Sequence, residues 1–510
     1  MPSSRYPDLL RQLQGEIETF LSSLQHPIVL EDEVEVFDLT AGEWRLSVEF
    51  GKVMFEAWNP VRSLARRVEE VAYRDRGRMG VFVRKPGARE TITLEFRELN
   101  RANRAARGVG RARFRQELVA MLAREYPGWR LERVSNRSDR EYSFSAWYTS
   151  GMARQGRTAW AFLGLREGEA PAAADAILAF GIIWLDWLRG QAERYPVAGL
   201  KLFLPRGAVE LTAHRAAYLD RRAVQVEISA WSSGQTRSTP IDLNDFGNVE
   251  THLAPRRQGE ALAERHETML RRALEDLIEQ VDVVPDSSGT FLSLRVRGLE
   301  VGRVEGQLAP QIYFGLEGNY RKLEDRNRAE FQEFLKHVLK ARHAKSSETS
   351  HEFYRLQGER WLESLLVRDI TKLDPALSPG CVYPQVPAFS GIDRGVIDIL
   401  SVTREGRLAV IELKLHEEIN LPLQGLDYWL RVKWLHERGQ FREFGYFPGV
   451  ELAPAPPLLY LVSPAFRFHS STDRLIRYFD PSIAVIQVGL NDRWREKVKV
   501  LFRRERHSRH

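Results

Sequence analysis

A multi-domain protein mixing α/β and α+β units is predicted, on three observations. The chain has 510 residues, more than one hydrophobic core can serve, which implies about three domains. Hydrophobic residues make up 43% and aromatic residues 10% of it, with modest glycine and proline, the composition of an ordered globular protein. Short apolar runs of strand character alternate with longer stretches of helical periodicity along most of its length.

Composition also narrows the setting. The single cysteine, Cys381, excludes an internal disulfide and a cysteine-rich zinc site, and points to a reducing compartment, the cytoplasm by default. Met1–Gln14 is polar and charged, so no signal peptide is expected. The most apolar run, Ala176–Leu188, is too short for a membrane span and contains Asp186. A net charge of +6 and a pI near 9.3 suit an anionic partner, although 69 acidic residues balance most of the 75 basic ones.

In chain order, residues 1–100 are predicted to form a small α+β domain. Leu9, Leu10, Leu13, Ile17 and Phe20 make a helical stripe within Tyr6–Leu24. Strands are expected at Val34–Leu39, Glu43–Glu49 and Val53–Trp58, then a helix over Ser63–Tyr73 capped by Ser63, then strands at Gly80–Arg84 and Thr91–Phe96. Arginines recur from Arg101 to Arg115, including Arg104, Arg107, Arg111 and Arg113. The run fits a solvated linker face or, more sharply, a strap that tracks phosphates.

Residues 111–253 are predicted as an α/β domain. A helix at Phe114–Glu125 precedes strands at Trp129–Val134, Tyr142–Tyr148 and Ala159–Leu165. A long helix over Ala172–Arg194, a strand at Gly199–Leu204, a helix at Leu211–Leu219 and a strand at Val224–Ile228 follow. The same order is expected again in residues 351–502, which suggests an internal duplication; two unrelated α/β units sharing a common order is the alternative. The first copy would have lost its chemistry, since Thr158–Leu165 (TAWAFLGL) carries no acid or lysine. Between them, residues 254–345 connect as an α+β region. The polar loop Asp245–Ala261 leads to a helix over Leu262–Gln280, strands at Thr290–Val296, Val304–Leu308 and Gln311–Phe314, and a helix over Asp325–Ala341. His343–His351 is read as a linker, and residues 503–510 as a basic tail that frays.

The chemistry concentrates in Gly391–Leu415. Val396–Val402 is an apolar strand interrupted by Asp398; after a turn at Arg404–Gly406, Leu408–Leu415 resumes with Glu412 and Lys414 inserted. Alternation places Glu412 and Lys414 on one face and Leu413 and Leu415 on the other. With Asp398 opposite, two carboxylates and an ammonium converge, a set that suits Mg²⁺ or Mn²⁺ with substrate phosphate. The lysine would stabilise charge on that phosphate. An isolated Glu-x-Lys is usually an ordinary ion pair on a half-exposed strand; the aspartate on the preceding strand and the helix beyond distinguish this one. No Walker loop, dinucleotide glycine fingerprint or His-Glu-x-x-His helix competes. His351, His416, Arg394 and Lys433 are taken as supporting or solvated groups, and Trp429 and Trp434 as a packed helix face.

Asp398, Glu412 and Lys414, followed by Gln424-Gly-Leu-Asp-Tyr428 on the next helix, resemble the PD-(D/E)XK phosphodiesterase superfamily, in its RecB-like branch. The layout is similar to the nuclease domains of mismatch endonucleases and of CRISPR-associated nucleases carrying a cyclic-nucleotide sensor. The resemblance covers roughly Phe353–Leu501, under a third of the chain, and implies a restriction-endonuclease-like α/β core around a central mixed sheet. It also implies a further acid from the first core helix, Glu363, with Glu359 one turn away as the alternative. On that footing the expectation is a Mg²⁺- or Mn²⁺-dependent nuclease. Asp398, Glu412 and Glu363 would hold the metal, Lys414 would stabilise charge, and Gln424 and Tyr428 would orient the substrate. DNA is preferred over RNA on the resemblance alone. The alternative is a catalytically inactive nuclease fold that binds nucleic acid or assembles partners in genome maintenance or defence.

Overall fold

The structure is a computed structural model of the chain. It describes all residues except 1–4, 32–33, 42, 49–52, 60–61, 76, 85–90, 99–100, 137–146, 170, 192–195, 245–250, 254–256, 286–290, 307–308, 317–319, 347–350, 391–393 and 507–510. The chain forms two compact units: Met1–Gly247 with Glu418–Leu423 and His469–Asp480, and Asn248–Glu417 with Gln424–Phe468 and Pro481–His510. Helices and several mixed or antiparallel sheets make both. Among the described residues no helix is long and apolar enough to cross a membrane.

In the first unit, the helix Arg5–Ser23 packs Ile17, Phe20 and Leu21 into one core with Val29, Phe55, Leu94 and Phe96 of an antiparallel seven-stranded sheet. The predicted helix at Ser63–Tyr73 is instead part of the strand Arg62–Asp75. Leu64, Val68 and Val71 have helical spacing, but the register slips at Val68/Glu70 and Val71/Tyr73. Such bulges insert residues into a period-two pattern and so imitate a helical one. Pairing on both sides then overrides local preference. The arginine run is not a linker: Arg101–Glu125 is one helix, α1. Within it Arg111 pairs with Glu169 at 2.7 Å and Arg113 with Glu117 at 2.7 Å, so both already have carboxylate partners; the side chains of 101–109, Arg107 among them, lie outside the described residues.

The remainder of this unit is a six-stranded sheet built from β1 (Arg130–Ser135), β2 (Tyr148–Gln155), β3 (Thr158–Leu165), β4 (Val197–Leu204), β5 (Gln225–Ala230) and β6 (Thr239–Ile241), paired in that order. The strand expected at Tyr142–Tyr148 falls largely on residues outside the description, and the observed one begins at Tyr148. Helix α2 (Pro171–Gln191) links β3 to β4, and α3 (Val209–Ala216) links β4 to β5. β1/β2 and β2/β3 are antiparallel, β3/β4 and β4/β5 parallel, and β5/β6 antiparallel.

The second unit contains a larger sheet of β7 (Thr251–Leu253), β8 (Leu377–Ser390), β9 (Arg394–Thr403), β10 (Leu408–Leu413), β11 (Leu458–Pro464), β12 (Ala484–Leu490) and β13 (Val500–Arg506), again in sequence order. β10/β11 and β11/β12 are parallel and the other pairs antiparallel. Two expectations fail here. Thr251–Leu253, read as loop, extends the sheet edge against β8. The basic tail does not fray through Arg506: β13 pairs with β12, the Phe502 ring lies over Gly489, and Arg503 reaches Asp374 at 2.8 Å. A charged strand pairs when one flank finds a sheet edge and its ions find partners.

Helix α4 (Gly358–Arg368) crosses this sheet's core through Trp361, Leu362 and Leu366, all fully buried. The first core helix, expected to carry Glu363, is preceded by a separate turn: Glu352–Arg355 ends before Gln357, which is left-handed at φ 46°. Buried Arg342 fixes the break, donating to the carbonyls of Phe353 (2.7 Å), Leu356 (2.6 Å) and Arg297 (2.6 Å) while its guanidinium lies 4.6 Å from the Trp361 ring centroid. A five-stranded antiparallel meander, Asp282–Pro285 to Arg321–Lys322, abuts α4 at its Arg297-Gly298 turn.

Gly298 sits at φ +80°, and a Cβ there would lie 2.1 Å from the Arg360 carbonyl oxygen. Gly298→Ala is therefore expected to cost about 1–3 kcal/mol through overpacking and backbone strain together. Chemical denaturation measures this, and an unchanged midpoint would show that α4 yields freely.

Candidate active site

The site grows out of the β9–β10 hairpin. The Thr403 N–H donates to the Arg407 carbonyl and the Arg407 N–H to the Thr403 hydroxyl, closing it, and Gly406 takes φ +84° with the Glu451 carbonyl too close to admit a side chain. The register pairs Ile399 with Ile411, so Asp398 and Glu412 are the next opposed positions. β8 supplies a third member of the row: Pro384 pairs with Ile399 and Val386 with Ile397, leaving Gln385 opposite Asp398. On the other side Glu412 neighbours Leu461 of β11.

Period-two alternation puts Glu412 and Lys414 together, with Lys414 Nζ 3.4 Å from Glu412 Oε1. Asp398 Oδ2 accepts the backbone N–H of Leu413 at 2.9 Å. The backbone N–H of Lys414 continues the parallel ladder to the Val462 carbonyl at 3.0 Å. Lys414 thus stands where β10 ends beside β11, and groups at the carboxyl ends of parallel strands are well placed to meet ligands.

Helix α4 brings both candidate acids to the same place. Glu363 is buried; its Oε2 accepts from Arg360 Nη1 at 2.7 Å and from the Gln385 amide. Arg360 also approaches Asp398 Oδ1 at 3.9 Å. Glu359 is half-buried and accepts the Leu415 N–H at 3.3 Å. Both acids therefore face the hairpin, Glu363 from the interior and Glu359 from the rim. On α5 (Leu421–Glu437), Gln424 Nε2 lies 3.4 Å from the Tyr428 hydroxyl. Arg431, three residues on, is buried and anchored on the Ala388 carbonyl at 2.5 Å.

Electrostatics are dominated by burial. Glu412, 1% exposed, has its carboxyl pushed well above the ordinary range by desolvation and by the Asp398 charge, with Lys414 opposing. Burial also raises Asp398, against Lys414 and Arg360. Glu363 is lifted by burial to about 7, with Arg360 opposing and Asp398 adding. Tyr428 is raised, first by burial and then by Glu412, so its hydroxyl keeps its proton at neutral pH. His416, just beyond Lys414, is lowered by burial, with Arg467 and Arg495 adding to the effect; a neutral imidazole results.

Among the described residues no three His, Cys, Asp or Glu side chains form a ready-made metal cluster. Two carboxylates with waters and substrate oxygens suffice for Mg²⁺, however. Glu412 Oε2 is buried without a hydrogen-bond partner, and an orphaned carboxylate oxygen beside a second carboxylate is what a divalent cation would satisfy. Asp398 and Glu412 fit that requirement; Glu363, engaged by Arg360 and Gln385, fits it less directly.

Sequence reasoning overlooked Arg360 and Gln385. Arg360 lies three residues before Glu363 on one helix, a spacing that predicts their pairing. Gln385 carries a different signal, a left-handed φ of 54° in mid-strand, unusual for a non-glycine residue and visible only in the folded backbone. His351 contacts His337 through their Nε2 atoms at 3.4 Å, the rings tilted to one another, and Lys433 pairs with Glu437. Trp429 is fully buried, with its indole N–H on the Pro457 carbonyl, while Trp434 is half-buried under Arg438. The Arg394 side chain lies outside the described residues. Compared with models of known protein families and with curated proteins, the chain matches none.

The raised Glu363 carboxyl sets a pH dependence. Its folded value of about 7 exceeds the ordinary 4.5, so between these the folded chain holds a proton that the unfolded chain has released, and stability falls as pH rises through the window. Thermal unfolding without metal from pH 4.5 to 7 should show a shallower decline for Glu363→Gln than for wild type; parallel curves would contradict the assignment.

Proposed function

We propose that the sheet β8–β12 with α4 and α5 is a restriction-endonuclease-like core, and that the protein is a Mg²⁺- or Mn²⁺-dependent nuclease of the PD-(D/E)XK type acting on DNA. The observation that carries this is buried Glu412, with an orphaned oxygen, opposed by half-buried Asp398 and with Lys414 alongside. Uncompensated buried carboxylates are costly, and a fold retains them where they hold something. The lone cysteine, Cys381, being buried and reduced, supports a cytoplasmic setting.

A divalent cation held by Asp398 and Glu412, with Glu363 assisting, would supply Lewis-acid stabilisation of charge on the phosphate. The chain's own groups do the rest. Lys414 offers an ammonium to the charge that grows on phosphoryl oxygens as water attacks. Tyr428, held protonated and in contact with Gln424, presents a hydroxyl to the substrate backbone. Arg360 and Gln385 position Glu363 rather than meet the substrate.

One observation favours a second reading. Arg360 already answers Glu363 and approaches Asp398, so the acids have a cation without any metal. An inactive nuclease fold used for nucleic-acid binding or assembly would keep such internal neutralisation.

Metal titration separates the two. Mn²⁺ at about a hundred times its Kd should stabilise the wild type by about 2.7 kcal/mol, and Asp398→Ala should lose this; no stabilisation in the wild type favours the binding module. In the nuclease reading, Lys414→Ala should lower DNA cleavage by about 10²–10³-fold while DNA affinity stays within a small factor. Unchanged cleavage in that variant refutes the assigned role of the lysine.

A further inference from the structure

The six strands β1–β6 and the six strands β8–β13 share one pairing pattern, two antiparallel pairs, two parallel pairs and a final antiparallel pair. Helices occupy the same places in the order, α1 and α4 before the sheet, α2 and α5 before the first parallel crossover ends, α3 and α6 (Thr472–Arg477) before the next strand. A shared order alone is common to many α/β folds. Residue-level agreement is not.

Three details agree. A Cβ on Gly181 of α2 would meet Leu200 and Leu202 of β4 at 2.7 and 3.2 Å; one on Gly425 of α5 would meet Leu461 and Leu459 of β11 at 2.7 and 3.1 Å. Each helix thus lies on its strand through one glycine and two leucines spaced by two. Pro205 and Pro464 then follow with φ −56°, ψ 147° and φ −53°, ψ 140°, each leading into a three-residue 3-10 turn. The next helices close on Tyr218-Leu219-Asp220 and Tyr478-Phe479-Asp480. Within the first unit these two tripeptides pair reciprocally: the Asp220 N–H donates to the Tyr478 carbonyl at 2.8 Å, the Asp480 N–H to the Tyr218 carbonyl at 2.9 Å, and Leu219 bridges Phe479. Equivalent residues exchanging equivalent bonds is the signature of an isologous contact.

The register then aligns the sites. Leu461 neighbours Glu412 as Leu202 neighbours Leu163, and Leu163 in turn pairs with Ser150. Ser150 therefore stands for Asp398, Leu163 for Glu412 and Leu165 for Lys414. Counting from the glycines, Phe180 stands for Gln424 and Trp184 for Tyr428. Leu163, Leu165, Phe180 and Trp184 are all buried, and the Trp184 indole donates to the Gly151 carbonyl at 2.8 Å. Apolar packing fills every aligned position but one.

We infer that the chain is an internally duplicated nuclease with one extinguished copy, so that it carries one cutting site and breaks one strand of a DNA duplex per encounter. This rests on the nuclease reading above. At that one site, water adds its oxygen to phosphorus, a single P–O ester bond breaks, and the leaving oxygen takes a proton; the facing strand stays intact.

The test is a time course of supercoiled plasmid with the full chain and Mn²⁺, run beside Mn²⁺ binding to wild type and Asp398→Ala. Nicked circles as the sole product while supercoiled DNA remains, with tight Mn²⁺ binding lost in the variant, supports the inference. Linear DNA in constant proportion from the first time point, with tight Mn²⁺ binding lost in the variant, overturns it and leaves the nuclease reading standing; tight Mn²⁺ binding that survives Asp398→Ala overturns it together with the metal site assigned above. A plasmid that stays closed while Mn²⁺ binds the wild type alone overturns both the nuclease reading and the single-strand cut that rests on it. Neither cleavage nor binding overturns both.

Discussion

The second unit depends on how it holds two carboxylates side by side, Glu412 buried and Asp398 half-buried. Moving such groups into the interior costs several kcal/mol each after relaxation. The surrounding fold offsets this in three ways. The Leu413 N–H donates to Asp398, Lys414 stands beside Glu412, and Arg360 approaches from α4. Each needs a different element in register. The hairpin supplies the first two directly, whereas Arg360 arrives only because α4 starts where Arg342 ties three carbonyls together and lies against the Gly298 turn. A packed aromatic core of Trp361, Tyr354 and Trp494 holds the helix there. The meander that flanks the sheet therefore bears on the site, although it contributes no acid.

The same constraint explains the choice of strand. β10 pairs antiparallel with β9 and parallel with β11, every residue of it is buried, and it has no exposed edge. Such a strand can afford Glu412 only at its carboxyl end, where the row opens toward Lys414 and His416. Upstream, Leu408–Ile411 stays apolar. The gradient from apolar to charged along one short strand turns a sheet core into a charged end.

How much of this was legible in the sequence follows from which period each feature obeys. The hairpin with Asp398, Glu412 and Lys414, and the helix with Gln424 and Tyr428, obey local periods of two and 3.6, and their placement could be read from spacing alone. Gln385 could not: its approach to Glu363 depends on a left-handed residue within a 14-residue strand, which no period announces. The strand Arg62–Asp75 failed for the related reason that its bulges disguise alternation. β13 failed because a run of arginines looks solvated until Asp374 and Glu505 are seen beside Arg503. Long-range partners, rather than local preference, decided each of these.

The two aligned cores show what such a site costs a fold. Where the second core holds Asp398, Glu412 and Lys414, the first holds Ser150, Leu163 and Leu165, and the packing details around them, the helix glycines, their leucine pairs and the strand-ending prolines, are unchanged. Replacing a buried ion pair with well-packed apolar residues is often neutral or stabilising, by about 1–4 kcal/mol. Where Ser150, Leu163 and Leu165 stand, that cost does not arise. Trp184, whose N–H is satisfied on Gly151, is a core residue in the full sense.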